Sequence, residues 1–322
     1  MKTLLLSEPM HNDGYELLVG RDDIRVLKAD GDEDKFREYM PEADGIVVRV
    51  LTLDRSLLEL ATNLKVVSRH GVGCDNIDVP YLSARKIPVA IAVDSNSISV
   101  VEHTLMMMLA LNKRLVQYDG LSRAGDFQSR SKHYTSELYD KHILIVGYGR
   151  IGRRLAPVCR AFGMRVSVAD IDLDRELAQQ QGCEAVESWR DILPTVDYLS
   201  VHVPLDDSTR NLLSDAELDA LPSHAIVINC ARGGIIDEKA LADRVTAGTI
   251  AATGSDVFTV EPPALDNPLL QLPKHLSVVT PHNAAGTIES QARMARYSVQ
   301  NALDGLDGTL GAEWLFNSAA FL

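Results

Sequence analysis

Three side chains able to bind an anion or to transfer a proton follow short apolar runs in the second half of the sequence. Arg232 comes after the run that ends at Asn229, and His282 comes after the run 276–280. Glu261 stands between them, directly before two prolines. Because ligands bind beyond the carboxyl ends of the strands in a doubly wound sheet, these three side chains are predicted to face one crevice.

These residue types suit hydride transfer to or from a 2-hydroxy acid. The planar guanidinium of Arg232 can hold a carboxylate and a carbonyl oxygen. His282 can give or take the hydroxyl proton near neutral pH, and a carboxylate beside it would favour the charged imidazole and orient the ring. Taken singly, each residue has a plainer interpretation: a surface ion pair for the arginine, a solvated loop charge for Glu261 and a structural role for the histidine.

A glycine-rich segment with the spacing of a phosphate-binding loop precedes these residues in the chain. The apolar run 143–146 leads directly into Gly147, Gly149 and Gly152, in the order G-x-G-x-x-G. The first glycine would allow a tight turn, the second a close approach of the backbone to a pyrophosphate, and the third the packing of a helix against the strand. A helix that begins near Arg150 would direct free N–H groups and its positive dipole end at the phosphates.

Asp170 ends the next predicted strand, 18 residues after Gly152. A carboxylate at this position hydrogen-bonds the ribose hydroxyls of NAD and repels the 2′-phosphate of NADP. Ile171 and Asp172 follow it, so no adjacent arginine or lysine is available to a phosphate. The pattern therefore favours NAD as the cofactor. The alternative interpretation is an α/β turn whose glycines serve only packing.

Short β-branched runs that alternate with longer amphipathic stretches must position these residues. Such alternation predicts mostly parallel sheets with helices on both faces. In the first hundred residues, strands are predicted over 3–6, 24–27, 45–48, 65–68 and 89–92, and Asp54 is predicted to cap a helix over 54–61. After Tyr139, strands are predicted over 143–146, 165–169, 198–202, 225–229, 251–255 and 276–280.

Two long helical segments connect the two blocks of strands. The segment 99–114 is more apolar than one amphipathic face requires, so we expect it to be buried between domains or between subunits. The segment 287–306 follows the last strand and could return to the first block. The sequence thus predicts an α/β protein of two doubly wound, Rossmann-like domains. A flavodoxin-like substrate-binding domain is discontinuous over 1–98 and 288–322, and a NAD-binding domain covers 99–287.

Composition limits the classes of partner. The length of 322 residues is about twice that of an ordinary domain. A formal charge of −13 argues against nucleic acid and anionic membranes as partners, since both bind basic surfaces. The longest apolar stretch, 104–111, is far shorter than a bilayer requires. Four scattered cysteines without a C-x-x-C pair predict reduced thiols in a cytoplasmic protein and no metal site.

A second anion-binding turn is predicted in the first block of strands. Arg69, His70, Gly71, Val72 and Gly73 follow a predicted strand. Consecutive backbone N–H groups in a glycine-containing turn can form a concave anion site suited to a substrate carboxylate. A tight loop without a ligand is the alternative interpretation.

Seven motifs extend over nearly the whole chain. They are HGVGCDNID (70–78), SISVVEHTL (97–105), GYGRIG (147–152), VHVPLDDSTRNLL (201–213), NCARGGIID (229–237), DVFTVEPP (256–263) and PHNAAG (281–286). On these motifs the sequence resembles the D-isomer-specific 2-hydroxyacid dehydrogenase family, particularly its 3-phosphoglycerate dehydrogenase-like members. The resemblance implies that Arg232, Glu261 and His282 are the catalytic residues.

The resemblance also implies further contacts. Those with NAD are expected at Gly147, Gly149, Arg150, Ile151, Gly152, Asp170, Val203, Pro204, Thr209, Cys230, Ala231, Arg232, Asp256, His282, Ala284 and Ala285. Arg49 and Arg69 are expected at the distal, often phosphorylated, end of the substrate, with surface charge as the alternative. Family members are typically homodimers joined through their cofactor domains, so a homodimer is expected.

Some positions depart from the family pattern. His70 stands where a small residue is common, and Val101 replaces an alanine before Glu102. A histidine beside the anion site could recognise a different distal group. The expected substrate is therefore a small anionic 2-hydroxy or 2-oxo acid, whether phosphorylated, sulfonated or aliphatic. Because the sequence ends at Leu322, we expect no regulatory amino-acid-binding domain and no feedback inhibition by serine.

A second functional class shares this fold: corepressor-type binding modules that sense NADH and recruit partners. Fold alone does not separate such a module from an enzyme. This sequence keeps all three candidate catalytic residues and shows no long disordered tail. These features favour an enzyme.

Overall fold

The computed structural model describes residues 1–321, and Leu322, the last residue of the predicted segment 288–322, lies outside the described residues. The chain divides into two compact units. The first comprises Met1–Asn96 together with the chain from Gly286 onward, and the second comprises Ser97–Ala285. The chain passes from one unit to the other after residues 96 and 285, each two residues before the boundaries predicted after residues 98 and 287. Each unit contains one parallel sheet.

The first unit has a five-stranded sheet of mostly buried, apolar strands. They are β1 (Lys2–Leu6), β2 (Ile24–Lys28), β3 (Gly45–Val48), β4 (Val66–Arg69) and β5 (Val89–Ile91). All neighbours pair in parallel in the order β2-β1-β3-β4-β5, which is a doubly wound order. Val48 of β3 pairs with Arg69 of β4, so the loops that follow these two strands begin side by side.

Short helices connect these strands. They are α1 (Asn12–Glu16), α2 (Glu33–Tyr39), α3 (Arg55–Leu58) and α4 (Val79–Ala84), with a 3₁₀ turn at Met40–Glu42. Two further 3₁₀ turns lie near the end of the chain, at Ala312–Trp314 and Ser318–Ala320. Asp54 caps α3 as predicted, because its carboxylate accepts a hydrogen bond from the N–H of Leu57. The helix ends at Leu58 rather than at residue 61, since the N–H of Leu60 closes a tighter turn onto the carbonyl of Leu57.

The last long helix, α11 (Ile288–Asp307), returns to the first unit and packs on β3, β4 and β5. Gly305 permits a close approach, because a Cβ at this position would lie 2.6 Å from Cγ2 of Val66. Val299 and Leu303 are buried in the same apolar cluster. The return of the chain through α11 is therefore an integral part of the core of the first unit.

The second unit has a seven-stranded parallel sheet. Its strands are β6 (His142–Val146), β7 (Arg165–Ala169), β8 (Glu184–Ala185), β9 (Tyr198–Val201), β10 (Ile226–Asn229), β11 (Ala252–Ser255) and β12 (Ser277–Val279). They are arranged in the order β12-β11-β10-β9-β6-β7-β8. The strand order reverses between β6 and β9, and a crevice beyond the carboxyl ends of such strands is the usual ligand site of a doubly wound sheet.

The helices of the second unit are α5 (Ser97–Asn112), α6 (Leu115–Arg123), α7 (Gly152–Ala161), α8 (Arg175–Gln180), α9 (Asp215–Asp219) and α10 (Glu238–Ala247), with 3₁₀ turns at Gln128–Ser131 and Trp189–Thr195. α5 packs on β10, β11, β12 and α7, with Met107 and Met108 fully buried. The apolar segment expected between domains or subunits is thus largely buried within the second unit itself.

The predicted fold of two doubly wound parallel sheets, one of them in a discontinuous unit, is confirmed. Each predicted strand is present with its ends shifted by at most one residue. β8 was not predicted, because two residues are too few to show a pattern. The predicted helix 99–114 instead ends at Asn112, since Arg114 adopts a left-handed backbone with φ of 50°, and α6 follows as a separate helix that was not predicted. Within residues 1–321, no helix is long and apolar enough to span a membrane.

Candidate active site

The glycine-rich loop turns sharply between the end of β6 and the start of α7. Gly147 has φ of +102°, and a Cβ there would lie 2.5 Å from the carbonyl carbon and oxygen of His202, so only glycine fits. A Cβ on Gly152 would lie 2.1 Å from the carbonyl oxygen of Gly147, which explains how α7 begins so close to the strand. A Cβ on Gly149 would meet no atom within 4 Å. The loop is therefore packed closely against backbone atoms at Gly147 and Gly152, and it has free space at Gly149.

Asp170 follows β7 and is held in a fixed orientation. Its Oδ2 accepts a hydrogen bond from the N–H of Tyr148 at 2.6 Å, and its Oδ1 accepts one from the N–H of Asp172 at 3.1 Å. Ile171 is fully exposed beside it, and Asp174 caps α8. The surroundings of the carboxylate are thus apolar or acidic along the chain, as the prediction of NAD rather than NADP requires.

A buried tyrosine ties the glycine-rich loop to the two helices that follow it. The Tyr148 hydroxyl donates to Oε1 of Gln181 at 2.6 Å, and Nε2 of Gln181 donates to the carbonyl of Arg153 at 3.1 Å. Nε of Arg153 donates back to the carbonyl of Tyr148 at 2.8 Å. Burial raises the pKa of Tyr148 to about 12, so the hydroxyl remains a donor at physiological pH. This closed ring of hydrogen bonds rigidifies the turn.

The other predicted cofactor contacts follow the carboxyl ends of neighbouring strands in the same sheet. Arg150 and Ile151 precede α7, Val203, Pro204 and Thr209 lie after β9, Cys230 and Ala231 after β10, Asp256 after β11, and Ala284 and Ala285 after β12. The Thr209 hydroxyl donates to the carbonyl of Pro204 at 2.7 Å and accepts from the N–H of Asp206 at 2.8 Å, which closes that loop. The open space above Gly149 and the oriented Asp170 carboxylate together fit the pyrophosphate and ribose of a dinucleotide.

His282 and Glu261 form a direct pair. Nδ1 of His282 lies 2.7 Å from Oε2 of Glu261, and Oε1 of Glu261 accepts a hydrogen bond from the N–H of Phe258 at 3.0 Å. Partial burial would raise the pKa of the Glu261 carboxyl, but the hydrogen bonds from His282 and Phe258 and the positive charge of Arg232 outweigh it and lower that pKa. The carboxylate is therefore ionised near neutral pH, and Nε2 of His282 is the ring nitrogen left to act on a ligand.

Arg232 lies close enough to Glu261 for its charge to act on that carboxyl. It follows β10, and its Nη1 donates to the carbonyl of Ala231 at 2.7 Å. A Cβ on Gly233 would lie 1.9 Å from the carbonyl oxygen of Phe258, so the glycine after the arginine lets the loops after β10 and β11 touch. His282 and Glu261 are thus in direct contact, and Arg232, which follows a strand of the same sheet, acts on the Glu261 carboxyl through its charge.

Two residues near this group were missed by the sequence analysis. Nε2 of His103, on α5, lies 2.9 Å from Oγ1 of Thr280 and 3.6 Å from Oδ1 of the buried Asp256. Thr280 precedes His282 by two residues, but His103 is far away in the chain. No local pattern could have linked His103 to the site, because the contact depends on how α5 packs against β11 and β12.

In the first unit, the Arg69 side chain is folded onto the predicted anion-binding turn. Its Nε donates to the carbonyl of Gly73 at 2.8 Å, and its Nη1 donates to the carbonyl of His70 at 2.7 Å. Gly71 has φ of +147°, a conformation that favours glycine. The guanidinium of Arg69 therefore stabilises the turn 70–73 by hydrogen bonds to its carbonyl groups. This role was not predicted from the sequence.

The neighbouring loop with Arg49 is braced by a carboxylate that was also missed. Glu8 accepts hydrogen bonds from three consecutive N–H groups, those of Arg49, Val50 and Leu51, at 3.0, 2.9 and 2.7 Å. Nη1 of Arg49 donates to the carbonyl of Pro9 at 3.2 Å. The backbone donors of this loop are thus engaged by the protein itself, which leaves the Arg49 side chain as its cationic group.

His70 is almost completely buried, with 3% of its surface exposed. Its N–H donates to the carbonyl of Val48 at 2.8 Å, and among residues 1–321 its Nε2 has no hydrogen-bond partner. Burial, together with the charges of Arg49 and Arg69, lowers the pKa of His70 to about 4. The imidazole is therefore neutral near pH 7.

Comparison with known proteins gives the family. Residues 105–284 match the model described as D-isomer specific 2-hydroxyacid dehydrogenase, NAD binding domain. The chain is 37% identical over 292 residues to D-3-phosphoglycerate dehydrogenase of Methanocaldococcus jannaschii, covering 90% of this chain and 55% of that protein. It is 31% identical over 297 residues to hydroxypyruvate reductase of Thermotoga maritima, covering 90% and 93%. It also resembles the structure of D-lactate dehydrogenase from Aquifex aeolicus complexed with NAD and lactic acid, with a TM-score of 0.85, 28% identity and 96% of each chain covered.

The chain is thus a two-unit α/β protein with a dinucleotide-binding sheet. It belongs to the D-isomer specific 2-hydroxyacid dehydrogenase family, and the prediction of a NAD-binding domain is confirmed. It spans little more than half the length of the phosphoglycerate dehydrogenase that it matches.

Replacing Asp170 tests its role in cofactor choice. In Asp170→Ala, the dissociation constant for NADH should rise by about tenfold or more, because the ribose loses a charged acceptor. The dissociation constant for NADPH should change less, since the repulsion of its 2′-phosphate is removed. Fluorescence titration with both nucleotides measures the two constants. An unchanged preference for NADH over NADPH would contradict the assignment.

Replacing His70 tests its burial in the neutral form. Because the pKa of about 4 lies below the unfolded value near 6.5, the unfolded chain binds a proton that the folded chain does not in this window. The contribution to stability is present above pH 6.5 and is lost as the pH falls, by roughly 2–3 kcal/mol at pH 4. Urea unfolding from pH 7 to 4.5 should show a weaker pH dependence for His70→Asn than for the wild type. Equal slopes would contradict the burial.

Proposed function

We propose that this protein is an NAD-dependent oxidoreductase that interconverts a D-2-hydroxy acid and its 2-oxo acid. The observation that carries the proposal is the 2.7 Å contact between Nδ1 of His282 and Oε2 of Glu261, with the charge of Arg232 acting on the same carboxylate. This reaction requires an imidazole that transfers a proton, a carboxylate that orients the imidazole, and a guanidinium that binds the anionic substrate.

NAD would be held by the open backbone at Gly149, the N-terminus of α7 and the Asp170 carboxylate, with the loops after β9, β10 and β12 completing the contacts. When bound, the reduced cofactor supplies the hydride that is added to C2 of the oxo acid. The chain contributes orientation and proton transfer. In this assignment the second unit is the NAD-binding domain.

Proton transfer belongs to His282. During reduction, its Nε2–H donates the proton to the carbonyl oxygen of the oxo acid, and during oxidation Nε2 takes the proton back from the hydroxyl. Glu261 remains ionised throughout, because its pKa is lowered, and it accepts the Nδ1–H of the imidazole. It thereby orients the ring and stabilises its charged form.

Arg232 would bind the substrate carboxylate and polarise the carbonyl at C2 through its planar fork. We assign the first unit as the substrate-binding domain. Its candidate substrate-binding groups are the turn 71–73 and the side chains of Arg49, Arg69 and His70. The named activities of the relatives support a small anionic acid, and 3-phosphoglycerate or a related hydroxy acid is the first candidate.

We further propose a homodimer in the cytoplasm. The segment after α5 carries exposed apolar side chains: Leu115, Phe127 and Tyr134 are 58%, 66% and 86% exposed. Exposed apolar groups concentrated in one segment are typical of a protein interface. The four cysteines are buried and form no disulfide within residues 1–321, which suits a reducing compartment.

Replacing His282 tests the proposed reaction. His282→Ala should lower turnover of the best 2-oxo acid in a panel of phosphorylated, sulfonated and aliphatic acids by about 100-fold or more, since proton transfer is lost. NADH binding should change little. The control is His224→Ala, which alters a surface histidine paired with Asp197. Loss of NADH binding in proportion to the rate, or no oxidation of NADH by the wild type with any acid, would refute the proposal.

Charging the apolar segment tests the dimer. Light scattering should give a dimer for the wild type and a monomer for Phe127→Asp combined with Tyr134→Asp, because two desolvated carboxylates oppose association. Val19→Asp, at an 81% exposed position in the first unit, is the matched control and should remain dimeric. A monomeric wild type, or a dimer that survives the double substitution, would refute the interface.

A further inference from the structure

The turn that carries His282 is organised around one buried carboxylate. Asp256 is 1% exposed, and its Oδ1 accepts hydrogen bonds from the Thr280 hydroxyl at 2.6 Å and from the N–H of Asn283 at 2.9 Å. Its Oδ2 accepts one from the N–H of Ala284 at 2.8 Å. The side chain of Asp256 thus binds the turn on both sides of the histidine.

The backbone of the same aspartate holds the histidine directly. The N–H of His282 donates to the carbonyl of Asp256 at 2.7 Å. His282 has φ of +50°, a left-handed conformation that a side chain other than glycine rarely adopts. Such a conformation persists only where surrounding contacts impose it. The hydrogen bonds of Asp256 are the contacts that impose it here.

The direction of each hydrogen bond in this partly buried chain can be deduced. The Thr280 hydroxyl has one proton, which it donates to Oδ1 of Asp256. Toward His103, the same hydroxyl oxygen must then act as the acceptor. The 2.9 Å contact therefore requires a proton on Nε2 of His103. The chain runs from His103 through Thr280 to Asp256.

His103 is well placed to hold this chain. It lies on α5, whose packing on β11 and β12 fixes its position relative to Asp256 and Thr280. Its side chain is 13% exposed, so water competes little for Nε2. Removing the donor would leave the Thr280 hydroxyl oxygen without the N–H that it accepts and would allow the hydroxyl to rotate away from the carboxylate.

We propose that His103 is a positioning residue for His282, acting through the Thr280 hydroxyl and the Asp256 carboxylate. The proposal rests on the proposed function, because it assigns His282 as the group that transfers the proton. The proposal predicts that substitution of His103 lowers turnover more than it weakens cofactor binding. His103 does so without touching the reacting groups, because it acts through hydrogen bonds.

The test is a double-mutant cycle in the intact protein. His103→Leu and Thr280→Val should each lower kcat for 2-oxo acid reduction by about tenfold, and the double variant should lose about tenfold rather than about 100-fold, because both changes break one chain. The dissociation constant for NADH should change by less than about threefold. His103→Gln, which retains an N–H donor, and Thr280→Ser, which retains the hydroxyl, should restore most of kcat.

Two further measurements keep the outcomes distinct. His224→Leu is the matched control for a histidine-to-leucine change and should leave kcat unchanged. Without NADH or substrate, nitrogen-15 NMR should show a proton on Nε2 of His103 and a shift of the Asn283 and Ala284 amide signals in His103→Leu. These signals report on the hydrogen-bond chain independently of activity. If the wild type reduces no oxo acid, that result refutes the proposed function but not the hydrogen-bond chain.

Three results would overturn the role of His103. The first is wild-type kcat in His103→Leu. The second is multiplication of the two single effects in the double variant, which would show that the residues act independently. The third is an unchanged pair of amide signals, which would show that the chain does not reach the turn. If His103→Leu does not fold, Thr280→Val decides the question. A loss of about tenfold in kcat with shifted Asn283 and Ala284 amide signals would support the role of the chain, and wild-type kcat with unshifted signals would overturn it.

Discussion

The contact between His282 and Glu261 is the interaction on which the candidate site depends. Both residues lie on irregular loops, after β12 and β11, and neither loop has regular structure to hold it. Parallel pairing of the two strands brings the loops together, and the buried Asp256 carboxylate then fixes the turn around the histidine. A 2.7 Å contact between two partly exposed side chains is thus maintained by a buried polar group behind it.

The same arrangement recurs at the other binding loops. The loops that are predicted to bind an anion are themselves held by hydrogen bonds within the protein, and the glycine-rich loop remains open at Gly149. The ring of Tyr148, Gln181 and Arg153 fixes the glycine-rich loop, and Arg69 and Glu8 brace the loops after β4 and β3. Fixed loops lose little conformational entropy when a ligand binds, so their order contributes to affinity.

The sequence predicted the fold well because both sheets are parallel and buried on two faces. Such strands appear as short apolar runs between amphipathic segments, and every run of this kind became a strand. The pattern failed where it was too short, at β8, and where a single residue changed the backbone. α5 ends where Arg114 adopts a left-handed backbone conformation. This conformation is common for glycine, and an arginine in the sequence gives no indication of it.

By itself, the sequence determined where the strands lie along the chain and the glycine spacing at 147–152. It also determined the candidate residues Arg232, Glu261 and His282. All of these depend on local patterns and on motifs. Tertiary structure alone decided that His103 lies beside Asp256 and that Glu8 accepts hydrogen bonds from the loop of Arg49. The physical reason is that hydrogen bonds between distant segments follow from packing, and packing leaves no periodic trace in a single chain.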